Sequence, residues 1–137
     1  MNRALITMVA VALAGGAIWW SQNRQDSSAT GAPIVQVVLP SSLSLMAEQG
    51  KTAFDANCAS CHGPNGSGRD GLAPPLIHKI YEPSHHSDMA FTLAVRQGVR
   101  AHHWRFGNMA PVEGVSETSI ESIVAYIREL QRANGIY

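Results

Sequence analysis

Cysteine is scarce in this chain, with two residues in 137, so a disulfide-rich scaffold is excluded. Lysine is as scarce, only Lys51 and Lys79. No excess of either charge exists: ten Lys plus Arg stand against ten Asp plus Glu. A nucleic-acid binder ordinarily carries a basic surplus, so that class is set aside. Disorder throughout is excluded by a hydrophobic share of 45%. A chain of this length has room for one domain and an appendage.

One long uncharged run is present. Residues 4–20 read ALITMVAVALAGGAIWW, with Arg3 before them and a polar stretch after. Seventeen helical residues reach roughly 25 Å, the lower range for a membrane span. Trp19 and Trp20 fall where an interfacial aromatic belt would sit, and Arg3 favours an N-inside orientation. Residues 1–20 are thus expected to be a membrane anchor. The alternative is a cleaved signal with Ala12-Leu13-Ala14 as the small-x-small site. Either way the rest is expected outside the inner membrane: tethered in the periplasm, or soluble there after cleavage. Residues 21–40 read as a flexible linker, although the apolar stretch 34–39 also suits an extended segment lying on the domain. Residues 41–137 form the folded domain. It holds eight Lys plus Arg and nine Asp plus Glu, for a net charge of minus one.

Three helices are expected, near 43–62, 87–97 and 116–133. The first places Met46, Ala47, Gly50, Ala53 and Phe54 on one stripe. In the second, Met89, Phe91, Leu93, Ala94 and Val95 are apolar and Gly98 is a natural stop. In the third, Ser116 or Ser119 caps the start and Ile120, Ile123, Val124, Ile127 and Leu130 make the buried stripe. Arg128 and Arg132 fall near its end, where they favour the helix dipole. No useful strand alternation appears. The fold class is all-α with long loops, and loops as rich in Gly and Pro as 63–86 need a reason in so small a domain.

Cys58-Ala59-Ser60-Cys61-His62 supplies one. C-x-x-C-H is the attachment sequence for c-type haem. On a helix, positions i, i+3 and i+4 share a face. Two thiols there can bond the two vinyl groups of one porphyrin, while the histidine ligates the iron. A thioredoxin-like site needs a βαβ context that is missing, and a zinc site needs more ligands. One covalent haem c, through Cys58 and Cys61, is therefore expected, and it would complete the small core.

With Gly50 and Phe54 ahead of CASCHG, a Gly-rich loop ending in Pro-Leu, a Met-bearing loop and a terminal amphipathic helix with Tyr126, residues 42–137 resemble the mono-haem class I cytochrome c family. The resemblance implies the cytochrome c fold, with first and last helices crossing at Gly50, and Gly50 and Phe54 packed on the face of Tyr126 and Ile127. It implies that Pro75, before Leu76, offers its carbonyl to His62. It also implies that Met109 is the distal iron ligand, although Ala110 separates it from Pro111 where the family has proline directly after methionine. Met46 is too near the motif to reach the opposite face, and Met89 reads as core packing. His102 and His103 are the rivals for the sixth position. Trp104 and Arg105 suit hydrogen bonds to haem propionates, with ordinary core as the alternative for Trp104. His85 and His86, with His78 nearby, form a cluster of a kind that binds copper or zinc, though such loop pairs more often stand simply exposed.

A haem with both axial positions filled is unsuited to binding oxygen and suited to passing one electron. The expected function is a non-enzymatic one-electron carrier between exported or membrane-bound redox proteins. The alternatives are a fixed haem c subunit of an oxidoreductase complex, or a sensory or catalytic haem domain with a displaceable sixth ligand.

Overall fold

The computed structural model describes residues 30–137. The expected anchor or signal and linker residues 21–29 lie outside them. Among the described residues no helix is long and apolar enough to cross a membrane. Four α-helices follow in order: α1 (Leu45–Asn57), the single turn α2 (Ala59–His62), α3 (Asp88–Gln97) and α4 (Glu117–Ala133). Short 3₁₀ turns occupy Pro64–Gly66 and Lys79–Tyr81. Among the described residues there is no strand, only the isolated bridges Arg69–Ala73 and Val99–Met109. The domain is all-α with long loops.

The helix ends follow from local chemistry. Ser44 caps α1, its hydroxyl accepting from Ala47 N at 3.2 Å. The same hydroxyl donates to Glu129 Oε1 at 2.6 Å, so the cap also ties the start of α1 to α4. Ser116, not Ser119, caps α4, accepting from Ser119 N at 3.1 Å. Gly98 ends α3 with φ of 75°, a left-handed conformation that favours glycine.

α1 and α4 cross against each other and hold the core. A Cβ on Gly50 would run into the Ser122 carbonyl, so only glycine lets the two backbones come this close. One turn on, the rings of Phe54 and Tyr126 pack with centroids 5.7 Å apart. The crossing thus engages Tyr126 through Phe54, while the backbone nearest Gly50 is that of Ser122 and Ile123. Ala47, Phe54, Ile120, Tyr126, Ile127 and Leu130 are all but fully buried. Each large member contributes roughly 1.5–3 kcal/mol by burial, which makes this pair of helices the main stabilising unit.

α3 is held differently. Val95 is its single buried residue, and Met89 and Leu93 are 61% and 45% exposed. The expectation that Met89 packs in the core is therefore corrected: its side chain is exposed. α3 is fastened at its end by Arg96, which pairs with Glu117 and donates to Val115 O at 3.1 Å, and at its start by Arg128 of α4, buried at 7% exposure. Its Nε donates to Asp88 Oδ1 at 2.7 Å, and its guanidinium carbon lies 4.9 Å from the Phe91 ring centre. Nη1 donates to Tyr81 O at 2.8 Å and Nη2 to His86 O. Placing Arg128 near the helix end for its dipole overlooked this role.

The described part of the expected linker lies along the domain. Ile34 N and Val35 N both donate to Ser67 O at 3.1 Å, and Asp70 N donates to Ala32 O at 2.9 Å. Asn134 brackets Val38, its Oδ1 accepting from Val38 N at 2.9 Å and its Nδ2 donating to Val38 O at 2.8 Å. Val35 and Val37 pack on the core. Residues 30–39 are accordingly a strap across the loop 67–70 and the end of α4, not a free tether.

Candidate functional site

α1 does not run through the C-x-x-C-H motif. Cys58 leaves the helical region at φ −122°, ψ −33°, and caps α1 before α2 begins. The expectation of one continuous helix is corrected at this residue. The spacing survives the break, because His62 N still donates to Cys58 O at 2.9 Å and Cys61 N to the same carbonyl at 3.1 Å. The turn therefore keeps Cys58, Cys61 and His62 together as the motif requires.

Both thiols are free, Cys58 half-buried and Cys61 exposed. Burial, and then the neighbouring Cys61, push the Cys58 thiol up to about 11. Thiol–disulfide catalysts depend on a depressed thiol, so this environment opposes the thioredoxin-like reading. His62 is half-buried. Burial holds its imidazole below the usual histidine range, partly offset by a hydrogen bond to Pro74. In that bond Nδ1 lies 2.9 Å from Pro74 O. A carbonyl only accepts, so Nδ1 carries the proton and Nε2 keeps a free lone pair. This is the tautomer and the support that a metal-ligating histidine requires.

The acceptor is Pro74, one residue before the expected Pro75. The register is set by the loop: Leu76 N donates to Gly66 O at 2.8 Å, and Gly68 packs against the Pro75 backbone. Pro75 is thereby buried as loop packing, and the preceding carbonyl is left to face the imidazole.

Met109 is half-buried in the loop between α3 and α4. Its backbone pairs with Val99 through two bonds of 2.9 Å, and its carbonyl sits against Gly98. The strand-like pair thus fixes the Met109 backbone where the chain leaves α3. Trp104 stacks on Phe106 at 5.8 Å and meets His78 edge-on at 5.2 Å. Its indole nitrogen is buried without a close hydrogen-bond partner, and the Tyr81 phenol is the polar group beside it. Arg105 is exposed and makes no ion pair among the described residues. His102 and His103 gather with His85 and His86.

One positioning pair escaped the sequence reading. Tyr126 Oη donates to Asn65 Oδ1 at 2.8 Å, joining α4 to the turn just after the motif. Burial and then the Asp55 carboxylate push the Tyr126 phenol up to about 12, so it remains a donor. Asn65 takes φ of 56°. An asparagine in a Pro-Asn-Gly turn was the signal for it, since Asn tolerates that conformation.

These residues fit a covalent haem: two free thiols and an imidazole with its second nitrogen already held. The comparisons agree. The family model described as Cytochrome c matches residues 47–131. Neither a curated protein nor a solved structure matches the chain. The chain belongs to the cytochrome c family, which implies covalent haem c and electron transfer in general.

Proposed function

We propose that the chain is a one-electron carrier with a single haem c bonded to Cys58 and Cys61 and ligated by His62 and Met109. The observation that carries this reading is the His62 imidazole, with Nδ1 held by Pro74 O and Nε2 left free, in the same turn as two free thiols. Haem supplies reversible one-electron chemistry at its iron. The protein supplies the rest: Cys58 and Cys61 anchor, Pro74 sets the tautomer of His62, and the Val99 pairing holds Met109 in place. Trp104 offers its buried N–H to a propionate, and Arg105 an exposed guanidinium. Met109 as ligand rests on its loop and on its family position, and a thioether there raises the potential over a second imidazole.

The reading extends to context. The carrier is exported and held at the membrane by residues 4–20, exchanging electrons with exported or membrane-bound redox proteins. Two lysines and a domain charge near minus one favour docking with little long-range positive steering.

The test is the oxidised spectrum. Wild type is expected to show the weak sulfur-to-iron band in the far red, and Met109→Ala to lose it while keeping the haem. Persistence of the band in Met109→Ala would remove Met109 from the iron.

A further inference from the structure

Four histidines that the haem reading does not use converge at one place. His85 and His86 follow the Lys79–Tyr81 turn, while His102 and His103 lie in the loop after α3. The fold brings these separate segments together. His85 Nε2 and His103 Nε2 are 3.3 Å apart. One ligand nitrogen from each of His85, His86 and His103 lies within 4.8 Å of the others. The His102 ring is 4.2 Å from that of His103 and 6.1 Å from that of His86.

The separation is informative. Two imidazoles on one tetrahedral ion, with metal–nitrogen bonds of about 2.0–2.1 Å, hold their nitrogens about 3.3 Å apart. A hydrogen bond between two neutral imidazoles would also account for that pair. It would not account for the other two rings. His86 Nδ1 lies 2.7 Å from Ile80 O, and His102 Nδ1 lies 2.8 Å from Arg100 O. Each carbonyl fixes the proton on Nδ1 and leaves Nε2 with its lone pair, the support found behind metal-bound histidines. His78 shows the contrast: its Nδ1 accepts from Ile80 N at 3.2 Å, so its lone pair there is already used.

We propose that His85, His86 and His103 bind one divalent transition-metal ion, copper(II) or zinc(II), with His102 beside them as a fourth imidazole. The donor set is all nitrogen, which selects these ions over calcium or magnesium. The ion joins the segment at 82–86 to the loop that ends at Met109. The site shares no residue with the haem attachment.

The test uses the full-length, haem-loaded protein. Equilibrium dialysis against zinc(II) is expected to give one ion per chain. Copper(II) should give a paramagnetic resonance spectrum with coupling to at least three nitrogens. The double variant His85→Ala/His103→Ala should weaken binding more than about 100-fold, with the far-red haem band and the far-ultraviolet dichroism unchanged. His102→Ala should weaken it less. No ion bound by wild type, or undiminished binding by the double variant, overturns the proposal. So does loss of the haem band in the double variant, since these histidines would then serve the iron.

Discussion

The variant Cys58→Ser/Cys61→Ser is expected to lose covalent haem altogether. On a denaturing gel stained for haem, wild type should stain and the double variant should not. Each single variant should still stain, because one remaining thioether holds the group. The reasoning begins at the break in the helix. Cys58 ends α1, and its carbonyl accepts from both Cys61 N and His62 N, so the turn presents both sulfurs beside the histidine. Serine keeps the shape and removes the only atoms able to form the bonds. The effect is all-or-none because no other cysteine exists in the chain. A stained double variant would mean that the thiols serve another purpose.

Arg128→Ala is expected to destabilise the holoprotein by on the order of 3 kcal/mol, read from chemical denaturation. Arg128 is 7% exposed, whereas its partner Asp88 is mostly exposed, with 72% of its side chain open to solvent. The ion pair itself is therefore a small contribution. The larger loss lies in the carbonyls of Tyr81 and His86 and in the Gln131 amide oxygen, which accepts from Nη1 at 2.6 Å. Removing the guanidinium leaves the His86 carbonyl and the Gln131 oxygen unpaired, at about 1–3 kcal/mol for each that stays buried, while Tyr81 O keeps the bond from Gln131 Nε2 at 3.1 Å. It also opens space beside Phe91. Arg128→Lys should recover only part of the stability, because an ammonium cannot reproduce the planar fork. A change below about 1 kcal/mol for Arg128→Ala would show that the start of α3 is held by something else.

What was legible in the sequence was local. Ser116 as a cap, Gly98 as a stop and the stripe from Ile120 to Leu130 all act within a few residues. Their outcome depends little on the rest of the chain. The motif was legible for the same reason, since three side chains within five residues carry it. What escaped depended on distant backbone. Pro74 rather than Pro75 faces His62 because Leu76 is bonded to Gly66, a register that no composition reveals. Arg128 looks from its spacing like a helix-end cation. Only the arrival of the Tyr81 and His86 carbonyls makes it an internal fastening. The strap at 30–39 is fixed by Ser67 and Asn134, remote in sequence. Met89 was misplaced because an apolar spacing on a short helix does not say which side meets a neighbour. The two histidine pairs were visible as pairs, and only the loops bring them together.

A closed haem, ligated on both faces, separates a carrier from a haem domain that binds small molecules. The direct measurement is the visible spectrum of the reduced protein at neutral pH, recorded under argon and then under carbon monoxide. With His62 and Met109 both on the iron, the two spectra are expected to coincide over minutes. Rapid formation of a carbon monoxide adduct by wild type would show an open or readily displaced sixth position, and would contradict the electron-carrier account.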